Sequence, residues 1–152
     1  MQFSSSDLPE FRRRIERMQG NASNLGPGLL KAGSFVAGAA MSRIEAGGPG
    51  WAPNKTGTPL LQRTGRLLNS LAPQNSVALT ADGVRITAGT DYAEYLQNGT
   101  GIFAGHQPWK ARWGRSIVTH QGMPPRPFLY IDEPVVAGVL KQLVGWVMRS
   151  EA

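Results

Sequence analysis

The only two histidines, His106 and His120, lie fourteen residues apart in one stretch, with Asp91 before them and Asp132 and Glu133 after. Imidazoles and carboxylates are the groups from which a metal site or a hydrolytic acid–base pair is assembled. That separation matches no compact ligand motif, and histidines in loops are usually polar surface, so a metal or hydrolytic centre is not the favoured reading. Asp132 and Glu133 precede Pro134 and a strongly apolar helical pattern, where adjacent carboxylates do N-terminal charge work. Cysteine is absent, which excludes disulfides, thiolate nucleophiles and cysteine-ligated zinc or iron–sulfur centres. No GxGxxG, Walker, GxSxG or HExxH pattern occurs, and no cofactor is expected.

A second chemistry is suggested by Lys110, Arg112 and Arg115, which interleave with Trp109 and Trp113. Cations neutralise phosphates and flat rings stack on bases, so the composition resembles a nucleic-acid surface. No recognition fold accompanies it, and sequence-specific binding is not the leading expectation. Near the N-terminus Arg12, Arg13, Arg14 and Arg17 form a cluster that could meet phosphate or an acidic partner, although such clusters are more often a solvated helix face. The net charge of +6, from 16 basic and 10 acidic residues, suits DNA and an acidic protein surface equally.

The elements that must position these groups follow from hydrophobic periodicity. Leu8, Phe11, Ile15 and Met18 recur at steps of three and four and predict an amphipathic helix over 8–18, with Asp7 and Glu10 placed as a capping pair. After a breaker stretch at 20–28, a second helix is predicted over 29–46. It is apolar nearly all round and rich in small residues, including Ala32, Gly33, Ala37, Gly38 and Ala40. Two glycines inside a helix cost up to about 1 kcal/mol each. Something must therefore press closely against it, either another part of the domain or a second subunit.

The stretch 47–59 reads as a Gly/Pro-rich linker anchored by Trp51, and 60–71 as a short helix with Leu60, Leu61, Leu67, Leu68 and Leu71 inward, stopped at Ala72-Pro73. The period then switches to two. Val77 and Leu79, an Asp82-Gly83 turn, and Val84, Ile86 and Ala88 predict a hairpin over 76–89. Thr90 or Asp91 can cap a short helix carrying Tyr92, Ala93, Tyr95 and Leu96 that ends at Asn98-Gly99. A long loop at 102–122 has weak strand character at 116–119. Next come a strand over 128–131, entered through Pro124, Pro125 and Pro127, and a final helix over 132–152 with Val136, Val139, Leu140, Leu143, Val144 and Val147 in one stripe.

The expected fold class is α+β. A small antiparallel sheet, built from hairpin 76–89 and strand 128–131, is packed with the N-terminal and C-terminal helices. The whole of 1–152 is expected to be one domain, with a helical region at 1–46, the linker at 47–59, an α+β core at 60–131 and the C-terminal helix. The 19 glycines and 11 prolines make up about a fifth of the chain, which argues against an all-helical bundle. The first ten residues lack a basic segment followed by an apolar one, and the apolar or glycine run at 35–41 is far shorter than a bilayer span. A soluble, unprocessed chain without membrane contact is expected.

Four stretches, GPGWAP at 48–53, LLQRTGRLLNSL at 60–71, VRITAGTDYAEYLQNGTG at 84–101 and MPPRPFLYI at 123–131, occur in this order. Together they resemble the tail-completion or virion-morphogenesis proteins of tailed bacteriophages, a family of head-tail joining, neck and tail-terminator proteins. The long excursion at 102–122 departs from the family's compact pattern. The resemblance implies a non-enzymatic structural protein of the virion, assembled in the bacterial host cytoplasm and located at the head–tail junction. It would form a homo-oligomeric ring, six-fold in expectation, that terminates or completes the tail and meets tail-tube and head-connector proteins, with non-specific contact to packaged DNA.

Residue by residue, Thr64, Gly65 and Arg66 match the first of the family's motifs, either as simple helix-turn architecture, the favoured reading, or with Gly65 permitting close approach and Arg66 forming an ion pair. Tyr92 and Tyr95 match the second, as interface anchors or as core side chains with surface hydroxyls. Arg126, Pro127 and Phe128 match the third. There Arg126 would pair with Asp91 or Glu94 of the same or a neighbouring chain, and Phe128, an interface candidate through its motif, would enter the core. In the excursion Phe103, Trp109, Lys110, Arg112, Trp113 and Arg115 are the expected contacts with another virion protein or with DNA. Two other functions remain open. One is a basic DNA-binding accessory protein of the phage particle, with salt-sensitive affinity. The other is a small hydrolase or toxin that depends on His106 or His120.

Overall fold

In the computed structural model the described residues are 7–51, 64–113 and 116–149. They form six α-helices and two separate two-stranded antiparallel sheets, a small α+β fold. The chain divides into two compact units. One comprises Met1–Val36, Val77–Ile86 and Ile131–Ala152, and the other Ala37–Ser76 and Thr87–Tyr130.

The first unit begins with α1, Asp7–Ser23, which packs on the C-terminal helix α6, Glu133–Val147. Helix α1 runs further than predicted, and only Asn24 and Leu25 separate it from α2, Gly26–Glu45. The expected breaker stretch is thus helical on both sides of a two-residue turn. Pro27 sits in the first turn of α2, where its missing N–H costs nothing. The side chain of Asn21 donates to the carbonyls of Val147 and Arg149, both at 3.3 Å, which ties the end of α1 to the end of α6. Asp132 caps α6 by accepting from Val135 N–H at 3.1 Å, as its position before Pro134 leads one to expect.

One small residue of α2, Gly33, has a packing explanation inside this unit. Strands β1, Val77–Thr80, and β2, Gly83–Ile86, pair antiparallel with Val77 opposite Ile86 and Thr80 opposite Gly83. A Cβ on Gly33 would stand 2.7 Å from Val77 Cγ1 and 2.9 Å from Val84 Cγ2. The hairpin can therefore lie on α2 only because that position has no side chain. The turn falls at Ala81 and Asp82, one residue before the predicted Asp82-Gly83, with the Thr80 hydroxyl donating to Asp82 Oδ1 at 2.9 Å. That bond closes the turn through the side chains of Thr80 and Asp82 and leaves Gly83 as a strand residue.

The second unit holds the larger core, in which Ala40, Ile44, Leu67, Leu71, Ala93, Leu96 and Phe128 are buried together. Trp51 packs against this cluster, the anchoring role read from the linker sequence. Leu60 and Leu61 lie outside the described residues, and the helix expected over 60–71 is seen as α3, Arg66–Leu71. A Cβ on Gly65 would meet nothing within 4 Å, and the residue has φ +66°, so it serves a left-handed helix entry rather than close approach. Pro73 does stop α3, but it also starts another helical turn, α4, Pro73–Ser76. Helix α5, Ala93–Asn98, follows without a side-chain cap from Thr90 or Asp91 and ends at Gly99.

Two sheet expectations need correction. The stretch 102–122 is not one long loop. A 3₁₀ turn, Gly101–Ala104, leads into β3, Trp109–Trp113, paired antiparallel with β4, Ser116–His120. β3 alternates Trp109, Ala111 and Trp113 with Lys110 and Arg112, a strand period that the cations had masked, and β4 carries the β-branched run Ile117, Val118 and Thr119 already read as weak strand character. Conversely, Phe128–Ile131 forms no strand. Side chains supply the partners that a neighbouring strand would have given. Gln97 Oε1 accepts from the N–H groups of Phe128 and Leu129, both at 3.1 Å, and Gln97 Nε2 donates to Leu129 O at 2.9 Å. Arg43 Nη1 donates to Tyr130 O at 2.8 Å and to Phe128 O at 3.4 Å, with its guanidinium 3.7 Å above the Tyr130 ring.

Candidate functional site

The candidate contact residues read from the sequence belong to the second unit, and further exposed apolar residues lie beside them. Helix α5 presents Tyr92 and Tyr95, the latter more than half exposed. The 3₁₀ turn presents Ile102 and Phe103, and the β3–β4 hairpin presents Trp109, Lys110 and Ile117. Arg112 and Trp113 occupy the last two positions of β3, and Arg115 lies outside the described residues. Phe128, by contrast, is 1% exposed and belongs to the core rather than to a contact surface. Arg126 is half-buried, its backbone N–H donating to Leu96 O at 2.7 Å, and Asp91 and Glu94 are exposed.

The base of the β3–β4 hairpin is pinned on both sides. Thr100 N–H donates to Met123 O at 2.9 Å, Met123 N–H to Thr100 Oγ1 at 2.9 Å, and Ile102 N–H to Gln121 O at 2.8 Å. Further out, Trp109 and His120 are cross-strand partners whose rings stack with centroids 5.5 Å apart. His120 is thereby engaged in a ring stack rather than in a ligand set. Among the described residues no group of three or more His, Cys, Asp or Glu could hold a metal ion. No helix among them is long and apolar enough to cross a membrane.

Arg66 faces a polar recess of about 300 Å³ that it shares with Asn69, Ser70, Asn75, Gly89 and Thr90. Much of that lining is already committed. Ser70 Oγ donates to Leu67 O and Asn75 Nδ2 to Asn69 O, both at 2.8 Å, which closes the turn between α3 and α4.

The first unit carries a feature whose outward face the sequence reading left open. The stripe expected on α6 is rotated relative to the core. Val135 is 4% exposed, Val139, Leu143 and Val147 are half-buried, and Val136, Leu140, Val144 and Met148 are exposed at successive turns, Leu140 at 55% and Val144 at 59%. Phe11 and Ile15 add exposed apolar surface on α1. Four exposed apolar positions at i, i+4, i+8 and i+12 on one helix make a continuous ridge of the kind that marks an interaction surface.

A basic group lies about the C-terminal end of α6, where it shares Met148 with the ridge. Arg14 and Arg17 of α1 and Arg149 just past α6 bound a cavity of about 260 Å³, together with Glu10, Met18 and Met148. Trp146 lies beside it, with Arg149 and Lys31 each 5.7 Å from its ring centroid. Trp146 and Arg149 were missed because only the folded chain brings the ends of α1 and α6 together, some 125 residues apart in sequence. Arg14 and Arg17 were noticed, but as two of four arginines on one helix.

No protein-family model, no curated protein and no solved structure matches this chain.

Proposed function

We propose that the chain is a structural virion protein of the head–tail junction of a tailed bacteriophage. It would assemble into an oligomeric ring that terminates or completes the tail and joins it to the head connector, without catalysis. Two things support the reading. The first is the ordered resemblance of the segments around Arg66, Tyr92 and Arg126 to the tail-completion family.

The second, which carries the assembly part, is the exposed ridge of Val136, Leu140, Val144 and Met148 on α6. Leaving such side chains in water forgoes about 1.5–3 kcal/mol for each one that could be fully buried, so covering the ridge with a neighbouring subunit is favourable. The hairpin with Trp109, Lys110 and Ile117 supplies a second exposed surface, suited to contact along the ring axis or with a tail or connector protein. Antibody or gold labelling of purified virions containing this chain tests the placement. Label confined to the neck is expected, and label along the tail tube, in the baseplate or absent from particles would reject the reading.

The basic alternative, a DNA-binding accessory protein, is favoured by one observation, the cations around the α1–α6 cavity.

A further inference from the structure

Helix α1 places Arg14 and Arg17 one turn apart, and α6 ends so that Arg149 closes the same cavity. The position of Arg149 is built rather than incidental. Asn21 Nδ2 donates to Arg149 O and Val147 O, and Trp146 Nε1 donates to Asn24 O at 3.0 Å and Asn21 O at 3.3 Å. Gly28 permits this arrangement, because a Cβ there would stand 2.9 Å from Trp146 Cγ.

Three guanidinium groups thus converge on a space of about 260 Å³ against a single carboxylate, Glu10, with Met18 and Met148 as apolar walls. Among the described residues, neither Arg14 nor Arg17 makes an ion pair. The one ion pair on α1 is Arg12 with Glu16, at 3.6 Å. Arg14, Arg17 and Arg149 are all exposed, where water screens their mutual repulsion, and an anion seated among them is attracted to each. The planar fork of arginine matches a phosphate's oxygens in pairs, where lysine would act only as a point charge. Arg13 lines a second cavity of about 340 Å³ on α1 with Pro9, Arg12 and Glu16, the carboxylate that pairs with Arg12, so Arg13 is the further cation on this helix. Cations at two cavities of one helix suit a ligand that offers more than one phosphate.

We propose that the cavity bounded by Arg14, Arg17 and Arg149 seats a backbone phosphate of double-stranded DNA, with Arg13 engaging the phosphate beside it. The contact is independent of base sequence and of the aromatic hairpin. The cavity shares Met148 with the α6 ridge, but a ring that forms and binds no duplex overturns this inference and leaves the assembly reading intact.

The test is fluorescence anisotropy of the full chain with a labelled duplex of mixed sequence across a salt series. Each phosphate neutralised contributes about −0.9 to the slope of log affinity against log salt, so the two phosphates of the proposal predict a slope of about −1.8. Arg14→Gln, Arg17→Gln and Arg149→Gln together should weaken binding at least about tenfold near 0.1 M salt and flatten the slope, by the same counterion arithmetic. Lys110→Glu in the hairpin should leave binding within about twofold, since the proposal places no phosphate contact there. A thermal melt of each variant establishes that it folds, and Arg14→Lys alone, which keeps the charge, serves as a milder variant that should retain most of the binding. Wild-type chain that fails to bind duplex, a triple variant that binds as well as wild type, binding lost through Lys110→Glu instead, or a preference for a polyglutamate peptide over DNA would each overturn the proposal.

Discussion

Two side chains, Gln97 and Arg43, do in this fold what a β-strand was expected to do. Gln97 makes three hydrogen bonds to the Phe128–Leu129 backbone, and Arg43 makes two to the Phe128 and Tyr130 carbonyls while stacking on Tyr130. Replacing Gln97 by Ala leaves half-buried backbone groups without partners and should cost about 2–4 kcal/mol, measured by urea unfolding. Gln97→Glu, which keeps the acceptor and loses the donor, should cost less. Arg43→Met keeps much of the aliphatic stem and should lose about 2 kcal/mol through the bonds and the ring contact. Neither role could be read from the sequence, because the partners lie 31 to 87 residues away. Phe128 was legible, since an aromatic residue between prolines and a leucine has few places to go but inward, and its 1% exposure agrees.

Among the elements, α2 and α6 carry the argument in opposite ways. Gly33 gives up burial so that Val77 and Val84 can approach, and Gly33→Val should destabilise the chain by about 1–3 kcal/mol through overpacking, read as a lowered melting temperature. The small-residue pattern was visible in the sequence, but its cause was not, because composition does not tell a covering hairpin from a covering subunit. The ridge of α6 behaves differently. Leu140→Asp falls at a position 55% exposed, so monomer stability should change by no more than about 0.5 kcal/mol, while any assembly through the ridge should be lost. Periodicity gave the existence of this stripe. It did not give its phase, because the seven valines and leucines of α6 offer more than one way to turn the helix inward. The β3–β4 hairpin was hidden for a related reason. Its cations drew attention to charge, and the alternation around Trp109 and Ile117 is short.

At the scale of the whole molecule, the α+β class and most of the helices followed from the period and its switch at residue 77, while the two-sheet arrangement did not. The two units each leave something unmet. One exposes an apolar ridge and a basic cavity, and the other an aromatic hairpin with Lys110 at its edge. A chain built to act alone would ordinarily keep such surfaces small. On the proposed reading, assembly would cover the apolar ones and DNA contact the basic one.

The central claim is assembly, and the most direct measurement is the native mass of the purified 16.4 kDa chain over a concentration series, with electron micrographs of the large species. Closed rings of uniform copy number are predicted for the wild-type chain, with Leu140→Asp reduced to monomers that remain folded. A wild-type chain that stays monomeric at every concentration, or rings that survive Leu140→Asp unchanged, would contradict the account of the α6 ridge as the surface that builds them.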